Sequence, residues 1–167
     1  AMPPLMSRDP GPVGAALDDK ELWCGLIVDL HHVSPIALRI AMAARGQDRM
    51  ILVTDAMPSV GSAEDSFDLM GERIFRVDGA LATESGTLAG SDLDMASAVR
   101  NTVQAVGVPL EDALRMASLH PAKFLRLDHE LGHIAKGYRA DLALLDADFR
   151  VKSTWISGAR QDEEEKQ

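Results

Sequence analysis

The sequence predicts an α/β fold built on a parallel sheet. Two apolar runs rich in branched residues, Cys24-Gly25-Leu26-Ile27-Val28-Asp29-Leu30 and Met50-Ile51-Leu52-Val53-Thr54, lie either side of a stretch with helical apolar spacing. Neither run alternates, as expected of strands covered on both faces, and strand–helix–strand in series is the βαβ unit that makes neighbouring strands parallel. Further on, Phe67 to Val77 alternates around Gly71 and reads as an antiparallel hairpin.

Each element has a local reason. Residues 1–14 are rich in Pro and Gly and read as loop. Ser34-Pro35 carries the capping hydroxyl and first-turn proline of a helix start; Ile36, Ile40 and Ala43, with Leu38 and Met42, supply its apolar face up to Gly46. Gly86-Thr87-Leu88-Ala89-Gly90-Ser91 is a small-residue loop. Asp92 to Val106 is an amphipathic helix with Leu93, Ala96, Val99 and Val103 on one face, and Pro109 opens another through Ala113, Leu114, Met116 and Ala117. His120-Pro121 is expected to break that helix, with a short helical turn following from Ala122 to Leu127. Two strands, Ala140–Leu145 and Val151–Ser157, flank the turn composition Asp146-Ala147-Asp148, and a charged tail runs from Gln161 to Gln167.

Composition removes several function classes. The 167 residues carry 17 Lys+Arg against 26 Asp+Glu, a net charge of −9, so nucleic acid and anionic membrane surfaces are poor partners. A hydrophobic fraction of 46% suits a folded globule. No apolar run reaches the roughly 18 residues that span a bilayer. Cys24 is the single cysteine, which excludes an internal disulfide framework and a Cys-rich zinc site. These features predict a cytoplasmic protein. The opening Ala1-Met2-Pro3-Pro4 reads as the middle of a loop, so the chain is expected to be a fragment.

Chemistry concentrates at the ends of the two predicted parallel strands. Asp55 follows the second one, where α/β folds place catalytic carboxylates; there it serves as general base or metal ligand, or, in the plainer reading, as a turn or capping Asp. His31-His32 close the first one. Adjacent strand residues face opposite sides, so one of the pair at most faces a site, and the alternative is a structural histidine. Arg8 offers a planar fork suited to phosphate or carboxylate, against a solvated loop arginine or an ion pair with Asp9. The Gly86–Ser91 loop offers backbone N–H groups to an anion. His120 reads as a helix-terminal structural group, His129 and His133 as exposed, and Cys24 as buried and inert. No His-x-His, His-Glu-x-x-His or Cys-x-x-Cys spacing is present.

Taken in order, several segments resemble one family, the N-acetylglucosamine-6-phosphate deacetylases of the amidohydrolase superfamily. They are Ala1-Met2-Pro3, Arg8-Asp9-Pro10-Gly11, Gly25 to Val33, Leu52-Val53-Thr54-Asp55-Ala56, Gly86 to Ser91, and Leu119-His120-Pro121-Ala122-Lys123, with Gly132 to Leu142 closing the series. The match runs from Ala1 to about Gly158. The resemblance implies an α/β chain forming the C-terminal part of a (β/α)8 TIM-type barrel, residues 1–127, then strands of a small accessory β-sandwich, residues 128–160, and the tail 161–167.

The resemblance also implies a reaction: hydrolysis of N-acetylglucosamine 6-phosphate to glucosamine 6-phosphate and acetate by a metal-activated water. On it, Asp55 is the catalytic carboxylate, and His32 rather than His31 binds the substrate. Arg8 grips the sugar phosphate from a neighbouring subunit of a homodimer or higher homo-oligomer. Leu88, Ala89 and Gly90 meet the sugar, and Ala1 ends a substrate-contacting Asn-Ala pair. The cofactor is a divalent metal ion, zinc by the resemblance, whose glutamate and histidine ligands are expected upstream of Ala1, with Asp55 a further possible ligand. The chain alone is therefore expected to be inactive. Two other readings stay open: an amidohydrolase for a different amide or cyclic amide, and a non-catalytic fragment that binds sugar phosphate.

Overall fold

The structure, a computed structural model, describes residues 2–161. Ala1 and the segment 162–167, which holds nearly all of the expected charged tail, lie outside the described residues.

The predicted βαβ unit is present. Strands β1 (Cys24–Ile27) and β2 (Met50–Val53) pair in parallel, Cys24 opposite Met50 and Ile27 opposite Val53. Helix α2 (Pro35–Arg45) connects them, and the Ser34 hydroxyl accepts from Ala37 N–H at 3.2 Å as the capping signature requires. Its buried face differs from the expected one. Leu38, Met42 and Arg45 are buried, whereas Ile36 and Ile40 are 63% and 60% exposed and Ala43 is exposed. The helix is apolar nearly all round, so spacing alone does not choose the stripe that meets the sheet. Arg45 is buried because its guanidinium caps the C-terminal end of a preceding helix, donating to the carbonyls of Ala16 at 3.0 Å and Asp19.

That preceding helix, α1 (Gly11–Asp18), replaces part of the loop expected over 1–14. Pro10 and Pro12 punctuate a sequence without forbidding a helix when they fall at its first turn, where no N–H partner is needed. Cys24 is half-buried in β1, and its thiol donates to the Ala16 carbonyl at 3.6 Å.

After β2 the chain makes a three-stranded antiparallel sheet, β3 (Ser66–Leu69), β4 (Glu72–Val77) and β5 (Ala80–Thr83), in that order. The hairpin around Met70-Gly71 is the expected one, and the short third strand is additional. Ile74 and Leu81 form its buried side. Arg76 fastens the sheet to its surroundings, ion-paired to Asp92 at 2.8 Å and donating to the Ser59 carbonyl at 2.6 Å.

The predicted helix from Asp92 begins later. Asp94 caps α3 (Met95–Asn101), accepting from Ser97 N–H at 2.8 Å, and the helix widens into a π-turn over Thr102–Val106. Leu93 is buried ahead of the helix rather than in it. Helix α4 (Leu110–Ala117) buries Ala113 and Met116 but leaves Leu114 exposed. The break falls at Ser118, and His120-Pro121 sits inside the first turn of α5 (Leu119–Phe124), where proline is tolerated. A second antiparallel sheet, β6 (Leu142–Leu145), β7 (Val151–Ile156) and β8 (Ala159–Gln161), ends the described chain. Asp146 shapes its first turn, accepting from Asp148 and Arg150 N–H at 2.9 Å each.

The main core lies between β1–β2 and helices α2, α3 and α4. Met50 and Leu52 point into it with Leu38, Val99, Ala113 and Met116, and Ile51, on the opposite side of its strand, is buried outside it. Phe149, from the β6–β7 turn, packs against the same cluster and ties the last sheet to it. The core thus holds two parallel strands by one face, with both carboxyl ends on the same side.

Candidate functional site

Asp55 is the second residue beyond β2. Its φ of 53° puts it in the left-handed region, a conformation tolerated by Asp and disfavoured for branched residues, and its side chain is exposed. Among the described residues that carboxylate has no hydrogen bond or ion pair, so nothing inside the fold engages it. Its backbone, by contrast, is held firmly. Ser91 N–H donates to the Asp55 carbonyl at 2.9 Å, Met57 N–H donates to the Ser91 carbonyl at 3.0 Å, and Ala56 and Ser91 form a parallel bridge. The buried Ser91 hydroxyl donates to the Thr54 carbonyl and accepts from Leu93 N–H at 3.2 Å.

The small-residue loop is therefore joined to the end of β2. Gly90 has φ 66°, and a Cβ there would stand 2.5 Å from Met57 Cγ and 3.3 Å from the Asp55 carbonyl oxygen. Glycine suits the position on two counts, the positive φ and the room it leaves for the Met57 side chain. Leu88 bridges to Ala82, and Ala89 N–H donates to the Leu81 carbonyl at 2.9 Å, so that amide is already engaged.

His31 and His32 do not close a strand. β1 ends at Ile27, and both histidines lie in the bend that follows, so strand alternation does not separate them. Asp29 organises that bend. One oxygen accepts from His31 N–H at 3.1 Å and His32 N–H at 3.0 Å, and the other meets His32 Nδ1 at 2.6 Å. Burial of the Asp29 carboxyl works to raise its pKa, but the bonds from the His32 ring and the two amides together hold it below the usual 3.8. Asn101 Nδ2 donates to the Val28 carbonyl at 2.8 Å and anchors the chain just before it. His31 faces the β4–β5 turn: a Cβ on Gly79 would be 3.5 Å from His31 Nε2.

Arg8 is exposed, with no hydrogen bond or ion pair among the described residues, and the expected alternative pairing with Asp9 is absent there. The structure thus brings Asp55 together with Gly90 and Ser91, and His32 together with Asp29, at the same end of the parallel pair. It records no contact joining Arg8 to either group, and Ala1 lies outside the described residues. Asp29 and Asn101 escaped the sequence reading. The Asp-x-x-His spacing of Asp29 and His32 was the available signal, since an Asp side chain commonly caps the amides two and three residues on. His120 is structural as expected: it is buried, its Nδ1 meets the Met50 carbonyl at 2.8 Å, and its ring stacks edgewise on Trp23. A cleft of about 600 Å³ beside it, lined by Met42, Gln47, Asp48 and Lys123, opens at the start of β2, the end opposite Asp55.

Comparison with known proteins fits this arrangement. The model of the amidohydrolase family matches residues 28–160. The chain belongs to the amidohydrolase family. Among amidohydrolase relatives, a protein of Escherichia coli (strain K12) provisionally named N-acetylgalactosamine-6-phosphate deacetylase is 43% identical over 154 residues, covering 92% of each chain. The N-acetylgalactosamine-6-phosphate deacetylase of Escherichia coli O157:H7 is 43% identical over 92% of this chain but only 41% of its own length. The crystal structure of N-acetylglucosamine-6-phosphate deacetylase from Pasteurella multocida superposes with a TM-score of 0.90 at 37% identity, over 96% of this chain and 42% of that one. The chain spans about two fifths of the length of these last two relatives.

Amidohydrolases are generally metal-dependent. Among the described residues no three His, Cys, Asp or Glu side chains converge on a point that an ion could occupy. Asp55 stands alone at its strand end, and one carboxylate does not make a metal centre. The described residues do not fit a metal site by themselves. No helix among them is long and apolar enough to cross a membrane.

Proposed function

We propose that this chain supplies the proton-transferring carboxylate and the sugar-phosphate grip of a hydrolase that removes the acetyl group from N-acetylglucosamine 6-phosphate, giving glucosamine 6-phosphate and acetate. The galactosamine epimer, which two of the relatives above name, is the nearest competing substrate. The observation that carries the reading is the Asp55 carboxylate, exposed and unpaired at the carboxyl end of a parallel strand whose backbone is clamped by the Gly90–Ser91 loop. A solvated carboxylate on a rigid strand end suits a group that must take up and release a proton.

Amide hydrolysis forms a carbon–oxygen bond from water, breaks the carbon–nitrogen bond and moves one proton from the water to the leaving nitrogen. Asp55 accepts that proton and returns it to the amine. General acid–base transfer of this kind contributes about 10²–10⁴ in rate. His32 binds the sugar. Arg8 holds the phosphate by a bidentate pair in the site of a neighbouring subunit of a homodimer or larger homo-oligomer, which fits its exposure and lack of a partner here. Leu88, Ala89 and Gly90 line the sugar, with the Ala89 N–H already engaged by the Leu81 carbonyl. Ala1 joins the same contact. The cofactor of this reading is a divalent metal ion, zinc, for which the described side chains form no site.

In the same proposal β1 and β2, joined by helix α2, are the last strands of a (β/α)8 barrel within residues 1–127, and β6 to β8 belong to an accessory β-sandwich over residues 128–160. The TM-score of 0.90 against a 37% identical deacetylase supports it. The protein acts in the cytoplasm on a small phosphorylated sugar. The test replaces the matching part of the Pasteurella multocida enzyme by this chain and follows acetate release. The chimera is expected to prefer the 6-phosphates over unphosphorylated N-acetylglucosamine. Arg8→Ala should raise KM for the phosphate ester by about 10- to 100-fold, the worth of a lost charge-assisted pair, with a smaller effect on kcat. A folded chimera indifferent to the phosphate, or an Arg8→Ala variant with unchanged KM, refutes the grip.

A further inference from the structure

The Asp29–His32 pair is fixed more completely than the loop around it. Asp29 accepts three hydrogen bonds, its side chain is only 6% exposed, and the His32 ring remains 21% exposed beside it. Between them Leu30 has φ 71°, a left-handed conformation that a leucine holds only when its surroundings impose it. The bonds from Asp29 to the two amides after Leu30, and from Asn101 to the carbonyl of Val28 before it, are what impose it.

The chemistry of the contact decides the ring's proton. A carboxylate has no hydrogen to give, so in a 2.6 Å bond with Asp29 the His32 Nδ1 must be the donor. A neutral imidazole then carries a bare lone pair at Nε2, an acceptor for a hydroxyl hydrogen. We infer that Asp29 is a positioning residue that locks His32 in the Nδ1–H form and so presents Nε2 to a hydroxyl of the bound sugar. The inference rests on the reading of His32 as the sugar-binding residue. It also divides the labour of the histidine pair, because His31 lies against the β4–β5 turn instead. A purely structural role for Asp29 would need its two amide bonds and not the ring contact.

Asp29→Asn separates the two. The amide oxygen must stay on the His31 and His32 N–H groups, which turns its NH2 toward the ring and makes Nδ1 an acceptor; the same exchange in Ser-His-Asp triads leaves the geometry intact with the wrong tautomer. Two-bond 15N–1H spectra of the 15N-labelled chain, at a pH high enough to leave the ring neutral, are expected to show His32 protonated at Nδ1. In Asp29→Asn they should show it protonated at Nε2 with the backbone spectrum otherwise kept, and in Asp29→Glu protonated at Nδ1 again. Glucosamine 6-phosphate should move the His32 ring signals of the native chain and bind the Asp29→Asn variant about tenfold more weakly, the worth of one hydrogen bond. A native ring protonated at Nε2 overturns the inference outright, and that spectrum decides even where a variant does not fold. The expected tautomers with no response to glucosamine 6-phosphate would instead overturn the sugar-binding reading of His32, and with it any role for Asp29 beyond structure.

Discussion

Gly90→Ala tests how tightly the small-residue loop is coupled to the end of β2. Two costs add. Gly90 sits at φ 66°, and placing an L-residue there costs about 1–2 kcal/mol. The new methyl would stand 2.5 Å from Met57 Cγ and 2.6 Å from its Sδ, so the methionine must leave its rotamer at about 0.5–1.5 kcal/mol. The stiffer unfolded chain returns a few tenths of a kcal/mol. The expected loss is about 1–3 kcal/mol, or roughly 2–12 °C in Tm for a chain of this size. Gly86→Ala is the control, because Gly86 has φ 84° with nothing within 4 Å of the added methyl. It pays the backbone term alone, about 1 kcal/mol. Urea unfolding followed by circular dichroism measures both. Equal losses in the two variants would mean that the loop does not pack on Met57 and Asp55 as described.

Three other outcomes follow from the same contacts. Met116→Ala removes a fully buried side chain from the main core and should cost about 2–5 kcal/mol in the same unfolding assay. Asp55→Asn should change stability by no more than about 0.5 kcal/mol, since the exposed carboxylate has no partner among the described residues. Burial raises and hydrogen bonds more than offset it at both Asp29 and Asp94, so each carboxyl has a folded pKa below its unfolded 3.8. Their contribution is therefore complete above 3.8 and lost as pH falls through the lowered folded values. Unfolding midpoints measured between about pH 5 and pH 2 should show that acid limb, and it should flatten in Asp29→Asn and Asp94→Asn.

The parts of the fold that the sequence announced are those where one local rule acts alone. The β2 run followed by Asp55, the Ser34-Pro35 cap and the Met70-Gly71 hairpin each rest on few residues with a clear preference, and all three are present. The misreadings occur where two rules compete. Pro10-Gly11-Pro12 reads as a breaker and is a helix start. Ile36 and Ile40 outrank Leu38 and Met42 in apolar character, yet sheet geometry and the Arg45 cap of α1 choose the other stripe. β8, three residues long and polar, does not stand out from a turn. Near the end of β2, Asp55 and the Gly86–Ser91 loop were legible as a carboxylate after a strand and a small-residue loop, and the structure joins them; the strand end expected at His31-His32 is instead a bend after Ile27. Asp29 was not, because it looked like one more member of an apolar strand, and only the chain's departure from β1 after Ile27 turns it toward His32.

Acetate release by the Pasteurella multocida chimera, with Asp55 intact and with Asp55→Asn, tests the central claim most directly. The account predicts a working deacetylase in the first case. In the second it predicts a folded protein of unchanged stability whose kcat falls by about 10²–10⁴, with glucosamine 6-phosphate still bound. An Asp55→Asn chimera that releases acetate at the undiminished rate would contradict it.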